Sequence, residues 1–478
     1  MLFEKKHLPL ERVLHFFEQI SAVPRQSYVT APIADYLCRF AKERGLLYLR
    51  DGADNVIIKK AASIGAEGLP AVLLQAHTDM VLVKKETEQA DALPQGILLK
   101  REGDTLRAQG SSLGADDGIG MAYILAILDD ATLAHPMLEA LFTSNEEVGL
   151  LGASALDGRV LTARMLINLD SDEEGIFTAG CAGGSSATLT LPLPQDEIRF
   201  CYTLTLSGLP GGHSGTEIHK GIGNAILLLC AFLSQLSEGK KLLLSEISGG
   251  EASNAIPCFA SARIHCSIGE EKILSLANRF LKNQAVRLGN ASFTIEPAGE
   301  FPCLTAEKSR TLLSLILSLP SGILAMEEHL RTMPKTSLNL GKIEPTKQGL
   351  SLYYALRSSD DKNRQALEEH LLEHAVHFGG KAKIDGEYPS WSFRENSPLR
   401  ETCLAVYRKR YGREATVATV HAGLECGVLA AKLAGLDAIS FGPNNRDIHT
   451  VDEALSLRSA EEVYGYLCEL LSALCKRP

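Results

Sequence analysis

The chain alternates short, uninterrupted apolar runs with helical patterns, and this alternation limits what it can fold into. The runs "NVIIKK", "AVLLQA", "MLEALFT" and "MLINL" all lie within residues 1–186, and patterns such as "GIGMAYILAILDD" and "EVGLLGASAL" separate them. Strands that are apolar along their whole length are typical of a sheet that is buried on both faces. The alternation therefore predicts an α/β domain with helices on both faces of its sheet.

A different pattern begins after "CAGGSS" and predicts a second domain. Runs such as "RFCYTLTLSGL", "CFASARIHCSI" and "GLSLYYALRSS" alternate apolar and polar residues, as antiparallel strands with one solvated face do. Helical stretches such as "GNAILLLCAFLSQL" lie between them. We expect an α+β domain over residues 187–388, inserted into an α/β domain that consists of residues 1–186 and 389–478.

Composition and charge exclude several classes of protein. The 478 residues, 45% of them hydrophobic and 22% charged, are enough for two or three folded domains. The formal net charge is −10 without a basic stripe, which argues against nucleic acid as a partner. The longest apolar stretch is too short to cross a membrane, and the first residues predict an amphipathic helix from about Pro9 rather than a signal peptide. The eleven scattered cysteines, without any CxxC, favour reduced thiols in a cytoplasm.

Side chains of the kind that bind metal ions follow four of the apolar runs. In chain order they are His77 with Asp79, Glu146 with Glu147, Asp170, and His449. A glycine-rich turn, "SSLGADDGIG", adds Asp116 and Asp117 directly before a helix. In an open α/β sheet the carboxyl ends of the strands meet in one crevice, so residues from distant segments can converge there. One carboxylate at a helix start is usually a cap, but capping does not require acids and histidines after successive strands.

Two histidines among several carboxylates favour a borderline divalent ion such as Zn²⁺, with Mn²⁺ and Co²⁺ as substitutes. The set is too large for one tetrahedral site, and it suits two ions that share a bridging carboxylate. Glu146 and Glu147 are neighbours whose side chains diverge. One of them can bind metal while the other holds a water molecule as general base, which is a division of labour typical of hydrolases.

Six motifs in this order, "QAHTDMV", "GSSLGADDGIGMA", "TSNEEVGLLGA", "NLDSDEEG", "SGLPGGHSG" and "HAGLECG", resemble the M20 family of dinuclear metallopeptidases. The resemblance covers essentially the whole chain and is greatest to the family's bacterial dipeptidases that act on Xaa-His substrates. It implies two Zn²⁺ ions per subunit and a small peptide substrate. It also implies that the inserted domain is a ferredoxin-like lid through which the protein forms a homodimer.

The resemblance assigns metal-binding roles to five residues. His77 and Asp170 would bind one ion, Glu147 and His449 would bind the other, and Asp116 would bridge the two. These individual roles are what the resemblance implies. The same five were already candidates from their places after apolar runs and in the glycine-rich turn.

The resemblance gives the remaining residues of these motifs supporting roles. Asp79 would orient the ring of His77, and Glu146 would be the general base. Asp117 departs from the family pattern, because Asn is expected at this position in close relatives. The difference affects the local charge and not the set of metal ligands. At position 170 the chain has aspartate rather than glutamate. In this it resembles the dipeptidases and aminopeptidases of the family and not its acylases and carboxypeptidases.

The middle domain also matches family positions. His213 in "SGLPGGHSG" would reach the active site of the partner subunit and stabilise the developing oxyanion. Asn254 and Arg357 resemble substrate-binding positions, and Arg357 is a candidate for the C-terminal carboxylate of the substrate. His421 and Glu425 lie where relatives line the substrate cleft. Without the resemblance, an edge-strand arginine such as Arg357 is more simply interpreted as a surface residue.

A further histidine pattern competes with this set. "HLLEH", from His370 to His374, matches a zinc-protease motif, and His377 continues the same helix face. The helix is rich in glutamate, belongs to the inserted domain and has no supporting strand ligand. A solvated helix face is therefore the favoured interpretation of these three histidines.

These observations predict a cytoplasmic, zinc-dependent dipeptidase that prefers Xaa-His substrates. Glu146 would take a proton from the attacking water and pass it to the leaving amine. The nearest alternatives are a broad-specificity dipeptidase and an N-acyl amino acid hydrolase of the same family. A catalytically silent metal-binding protein and a dinuclear phosphoesterase are alternatives from other classes, and neither accounts for both the second glutamate and the motifs of the middle domain.

Overall fold

The structure is a computed structural model that describes residues 9–85, 96–195, 197–239, 241–327 and 333–475. The chain forms two compact units. The first unit consists of Met1–Cys181, Trp391–Thr419 and Leu424–Pro478, and the second of Ala182–Ser390 and Val420–Gly423. The boundaries expected from sequence, after residues 186 and 388, differ from these by a few residues.

The helices of the described residues are, in chain order, α1 (Pro9–Ser21), α2 (Ala31–Glu43), α3 (Ala115–Asp129), α4 (Leu151–Ala155), α5 (Ala225–Ser237), α6 (Glu270–Lys282), α7 (Ala306–Ser318), α8 (Asp361–His377), α9 (Pro398–Tyr411), α10 (Glu425–Lys432) and α11 (Leu457–Leu474). Short 3₁₀ turns lie at Gly158–Val160 and Ile218–Lys220. Within the described part of the chain, no helix combines the length and apolar character that a membrane crossing requires.

The strands of the described residues are β1 (Leu47–Arg50), β2 (Val56–Lys60), β3 (Val72–His77), β4 (Leu99–Glu102), β5 (Thr105–Ala108), β6 (Leu138–Thr143), β7 (Met165–Asn168), β8 (Ile176–Cys181), β9 (Gly183–Leu191), β10 (Glu197–Ser207), β11 (Gly212–His213), β12 (Leu242–Gly249), β13 (Ala255–Ile256), β14 (Ala260–Cys266), β15 (Ser292–Cys303), β16 (Gly322–Met326), β17 (Pro334–Thr346), β18 (Gly349–Ser358), β19 (Lys381–Tyr388), β20 (Thr416–Val420), β21 (Asp437–Ser440), β22 (Asn445–Arg446) and β23 (Ala454–Ser456).

An eight-stranded sheet, in the order β1-β2-β6-β3-β7-β21-β8-β20, organises the first unit. Its central strands β6, β3, β7 and β21 are parallel to one another, so their carboxyl ends lie at one edge. Every residue of β3 and β6 is buried, as expected for strands covered on both faces. The apolar runs supplied β2, β3, β6 and β7, and the predicted mixed α/β fold is confirmed.

Helix α3 is almost entirely buried and packs against β3 and α1. An amphipathic pattern is missing because the helix lies inside the unit and contacts apolar residues on all sides. Its first turn is irregular: Gly114 has φ +68°, and Asp116 and Asp117 have non-helical dihedrals. The regular helix therefore begins after Asp117, and the two aspartates lie in the turn that precedes it.

The second unit is an α+β arrangement with its own core. Its nine-stranded sheet has the order β15-β10-β14-β12-β17-β18-β9-β19, with β16 paired to β17, and its consecutive neighbours pair antiparallel. Strand β14 alternates buried and partly exposed residues, as the sequence pattern predicted. Helices α5 and α7 pack against β12, α6 packs against β15, and α8 packs against β9 and β19.

Candidate metal centre and substrate-binding cluster

The polar residues that follow the parallel strands of the first unit come together at the carboxyl edge of the sheet. His77 is the last residue of β3, Glu146 and Glu147 follow β6, and Asp170 follows β7. His449 lies in the loop between β22 and β23 and adopts a left-handed backbone conformation, with φ +61°. The topology thus explains why segments hundreds of residues apart supply one cluster.

Asp116 lies between the two histidines of this cluster. Its Oδ1 is 3.0 Å from Nε2 of His77, and its Oδ2 is 3.2 Å from Nε2 of His449. Asp170 Oδ1 is 3.9 Å from the same atom of His77, and Glu147 Oε1 is 2.8 Å from that of His449. One aspartate therefore joins two groups, each with one imidazole and a second carboxylate, as a bridging ligand of two ions does.

The donor atoms of each group fit a divalent cation. In His77, Asp116 and Asp170, and likewise in Asp116, Glu147 and His449, the ligand atoms lie within 4.8 Å of one another. A third group with that spacing combines His77 with the two adjacent glutamates, so proximity alone does not separate ligand from base. Imidazole nitrogens with carboxylate oxygens are ligands that suit Zn²⁺.

The electrostatics of the cluster also fit cations. Burial raises the pKa of Asp170 well above its usual value, and the nearby charge of Asp116 raises it further. Burial likewise raises the pKa of Glu146 to about 8, with added repulsion from Glu425 and Glu147. Carboxylates that are crowded in a buried site are stabilised by bound dications, which are the largest local charges in such sites.

Asp79 holds both the histidine and the glutamates in place. Nδ1 of His77 is 3.1 Å from the backbone carbonyl oxygen of Asp79 and 3.7 Å from its carboxylate Oδ1. The same carboxylate accepts hydrogen bonds from the backbone N–H of Glu146, at 2.8 Å, and of Glu147, at 3.3 Å. The Ser27 hydroxyl donates to its Oδ2. Asp79 therefore fixes the turn of the two glutamates in addition to facing His77.

Asp117, the departure from the family pattern, links β3 to the start of α3. Its Oδ2 accepts from the backbone N–H of His77, and its Oδ1 accepts from that of Gly120, both at 3.2 Å. The side chain is 1% exposed, and this burial raises its pKa well above the usual value. An asparagine has only one acceptor oxygen, so it would reproduce only one of these two contacts.

Glu453, which the sequence motifs do not single out, holds the turn that carries Asp116. Its Oε2 accepts from the backbone N–H of Leu113, at 2.7 Å, and of Gly114, at 2.8 Å. Its Oε1 accepts from the backbone N–H of Ala115 at 2.8 Å. Consecutive amides directed at one buried carboxylate fix the backbone of the turn. No local pattern reveals this role, because the two segments are more than 300 residues apart.

A buried hydrogen-bond chain runs beneath the strand ends and finishes at Glu425. Oε2 of Glu425 accepts from Nε2 of Gln75 and from Oγ1 of Thr143, both at 2.5 Å. Asn168 donates to Gln75, and Ser440 donates to Asn168. Gln75 and Asn168 each lie two positions before a candidate metal ligand in the chain. Glu425 is fully buried, so the structure places it under the cluster and not on the surface of a cleft.

The four candidates of the second unit also lie together. His213 pairs with the residue after Asn254 in the short β11–β13 ladder. A Cβ atom added to Gly215 would lie 2.5 Å from the carbonyl oxygen of His421 and 3.1 Å from Nε of Arg357. This close approach requires glycine at position 215. Asn254 is exposed, whereas Arg357 and His421 are buried.

The imidazole ring of His213 contacts a backbone amide through Nδ1 and the guanidinium of Arg357 through Nε2. The backbone N–H of Thr216 donates to Nδ1 at 3.2 Å, which places the proton of a neutral ring on Nε2. Burial and the charge of Arg357 lower the pKa of His213, which favours that neutral ring. Nε2 is 3.4 Å from NH2 of Arg357, and NH1 of Arg357 donates to the Tyr388 hydroxyl at 2.9 Å. With the ring proton on Nε2, this nitrogen and the guanidinium would be two donors directed at one another, an arrangement that a bound anion would stabilise.

The competing histidine pattern on α8 lies in the second unit. Nε2 of His374 is 3.1 Å from the Ser318 hydroxyl. Among the described residues, the groups with metal-ligand spacing do not include His370, His374 or His377. His370 and His377 are exposed, as on a solvated helix face, whereas His374 is partly buried.

Comparison with known proteins identifies relatives over the full length of the chain. Residues 73–473 match the model of peptidase family M20/M25/M40. The cytosol non-specific dipeptidase of Escherichia coli (strain K12) is 35% identical over 480 residues, which cover 98% of this chain and 99% of that protein. The crystal structure of aminoacylhistidine dipeptidase from Vibrio alginolyticus has a TM-score of 0.86 at 32% identity and covers 97% of this chain and 96% of the other.

A more distant structure shares the fold alone. The crystal structure of a tripeptidase from Staphylococcus aureus has a TM-score of 0.58 at 15% identity, and it covers 99% of this chain and 100% of the other. The fold is thus shared across distant sequences, whereas the family model and the E. coli relative match the sequence itself over most of its length. On that evidence the chain belongs to peptidase family M20/M25/M40.

Proposed function

We propose that the protein is a metal-dependent dipeptidase that prefers Xaa-His substrates. The observation that carries the proposal is the position of Asp116, whose two carboxylate oxygens face the Nε2 atoms of His77 and His449 separately. A dinuclear hydrolytic centre explains this arrangement. The E. coli relative, a non-specific dipeptidase, and the Vibrio relative, an aminoacylhistidine dipeptidase, support dipeptides as the substrate class.

In this proposal two Zn²⁺ ions, or Mn²⁺ or Co²⁺, bind per subunit. His77 and Asp170 hold the first, Glu147 and His449 hold the second, and Asp116 bridges them. Bound there, the ions would lower the pKa of a coordinated water and polarise the scissile carbonyl. Asp79 holds the imidazole of His77 and the turn that carries Glu146 in position through the hydrogen bonds described above.

Glu146 is the general base in this mechanism. It takes a proton from the attacking water and passes it to the leaving amine as the peptide bond breaks. Burial raises its pKa above the usual value for glutamate, which makes this carboxylate a stronger base than an exposed one. Its backbone N–H is fixed by Asp79 at 2.8 Å, which sets the position of the side chain.

The second unit supplies groups for the charges of the substrate. His213 donates from Nε2 to the developing oxyanion, and Arg357 pairs with the C-terminal carboxylate. Asn254 and His421 complete the substrate-binding set. The positive charge of Arg357, whose NH2 lies 3.4 Å from Nε2 of His213, supports an anion at this place. We further propose that the second unit is a lid, that the protein is a homodimer joined through it, and that it acts in the cytoplasm.

The test is the kcat/KM of the metal-loaded protein on a matched panel. The panel contains a Xaa-His dipeptide, the same dipeptide with another C-terminal residue, its N-acetyl form, its C-terminal amide and a tetrapeptide. We expect the free dipeptides to be cleaved and the other three to be poor substrates. Removing one partner of a charged pair commonly costs ~2–5 kcal/mol, which explains the expected loss with the amide.

Each alternative has its own result in this panel. Equal rates on both free dipeptides favour a broad-specificity dipeptidase, as the E. coli relative suggests. A preference for the N-acetyl form favours an N-acyl amino acid hydrolase. Cleavage of a generic phosphodiester, or no hydrolysis at all by protein that binds metal, contradicts the proposal.

A further inference from the structure

Arg25 is a buried arginine beneath the candidate metal centre. It lies between α1 and α2, outside residues 73–473 that match the family model, and it is 2% exposed. A guanidinium is rarely buried unless hydrogen bonds or charges compensate for its lost hydration. Its partners therefore indicate why an arginine occupies this position.

The guanidinium joins the backbone segment that follows His77 to the turn that precedes Asp116. NH1 donates to the carbonyl oxygens of Thr78 and Asp79, both at 3.3 Å, directly after the end of β3. NH2 donates to the carbonyl oxygen of Gly114, in the turn before α3. One rigid, planar group thus holds the segment of His77 against the turn of Asp116.

Two glycines leave room for this guanidinium. A Cβ atom at Gly114 would lie 2.5 Å from NH2 of Arg25, and one at Gly118 would lie 2.6 Å from the same atom. Gly114 also has φ +68°, so its backbone alone favours glycine. Gly118 does not have such a conformation, and the close approach of Arg25 accounts for it. The arginine therefore also explains a second glycine of the motif "SSLGADDGIG".

The surroundings of Arg25 are acidic as well as buried. Burial lowers the pKa of the guanidinium, and the charges of Glu453, Asp79 and Asp117 act in the opposite direction. Arginine stays charged in proteins because its reference pKa is so high. The side chain therefore offers a fixed positive charge and a fixed fork of donors at the same place.

We infer that Arg25 is a positioning residue of the metal centre, which sets the distance between the segment of His77 and the turn of Asp116. Lysine cannot replace it, because an ammonium is a point charge without the planar fork that spans three carbonyl groups. This inference rests on the proposed function, since it assumes that both segments provide metal ligands. It adds a residue from the N-terminal part of the chain to that centre.

Arg25→Lys tests the inference, because it keeps the positive charge and removes the fork. We expect the Kd of the metal-depleted protein for Zn²⁺, measured by calorimetric titration, to rise by ~10-fold or more, as with other partners that orient ligands. We also expect kcat on a dipeptide to fall more than KM changes. Gly118→Ala should produce the same loss, because the added methyl displaces the guanidinium.

Arg400→Lys is the matched control in the same unit. Arg400 is 8% exposed, and its guanidinium donates to the carbonyl oxygens of Arg394 and Glu395, both at 2.6 Å. We expect this variant to lose stability and to keep the wild-type Kd for Zn²⁺. Unchanged metal affinity in both Arg25→Lys and Gly118→Ala, whatever their melting temperatures, would overturn the inference. A wild-type protein that binds no divalent ion would instead overturn the proposed function.

Discussion

Three neighbouring carboxylates of the candidate metal centre have different surroundings. Asp116 faces two imidazoles, one through each oxygen. Glu147 faces His449 at 2.8 Å. For Glu146 burial is the largest influence, and it raises the pKa to about 8. Neither residue type nor proximity alone distinguishes a ligand from a base here, because His77 also lies within ligand distance of both glutamates.

Glu146→Gln should separate the base from the ligand. We expect this variant to keep both metal ions, measured by elemental analysis after dialysis, and to lose ~10²–10⁴-fold in kcat, because a general base typically contributes that much. Glu147→Gln should instead lower the metal content, because one oxygen that faces His449 becomes an amide. Loss of metal from the first variant, with full metal in the second, would reverse the two assignments.

At the scale of elements, the parallel strands position the candidate metal ligands, and segments distant in the chain hold them through hydrogen bonds. The turn between β5 and α3 carries Asp116. Glu453, from the segment before β23, accepts hydrogen bonds from the backbone N–H groups of this turn. The carboxylate is 2% exposed, so water does not replace these bonds when they are lost. The position of Asp116 therefore depends on a residue near the other end of the chain.

Glu453→Gln should weaken both the fold and the metal centre. An amide nitrogen in place of one oxygen would face backbone N–H groups, and each buried donor that is left unsatisfied costs ~1–3 kcal/mol. We expect a lower free energy of unfolding in urea and a weaker Kd for Zn²⁺.

Glu139→Gln is the control for this prediction. Glu139 is also fully buried and accepts from the backbone N–H groups of Thr162 and Ala163, both at 2.9 Å, but it lies on β6 away from the carboxyl edge. We expect a similar loss of stability and an unchanged Kd for Zn²⁺. Equal changes in metal affinity for both variants would mean that Glu453 has only a general structural role.

Local sequence patterns predicted the elements, but they could not predict the contacts between distant segments. The apolar runs marked the central strands, and the residues after them proved to converge. The helix predicted from "EVGLLGASAL" is shorter, because Gly149 and Leu150 have positive φ values of 108° and 58° and keep the preceding residues out of α4. Arg25 and Glu453 leave no local pattern, since their partners are tens to hundreds of residues away.

At the scale of the whole molecule, the family predicted from the motifs is confirmed, and the candidate site residues are divided between two units with separate cores. The candidate metal ligands belong to the first unit. His213, Asn254, Arg357 and His421 belong to the second. The roles of these residues stay predictions. The division means that a substitution in one unit can remove one function and leave the core of the other unit intact.

The proposed homodimer predicts that two inactive variants restore activity when they are mixed. His213→Ala should keep its metal and lose roughly 10²–10³-fold in kcat, because one oxyanion donor is gone. If His213 serves the partner subunit, a heterodimer with Glu146→Gln has one complete site, which contains Glu146 from one subunit and His213 from the other. Random exchange then restores ~25% of wild-type activity, since half of the dimers are mixed and each has one working site.

Glu146→Gln mixed with Glu147→Gln is the control and should stay inactive, because both changes affect the same unit. Differently tagged subunits show whether heterodimers have formed, and heterodimers without recovered activity would place His213 in the site of its own chain.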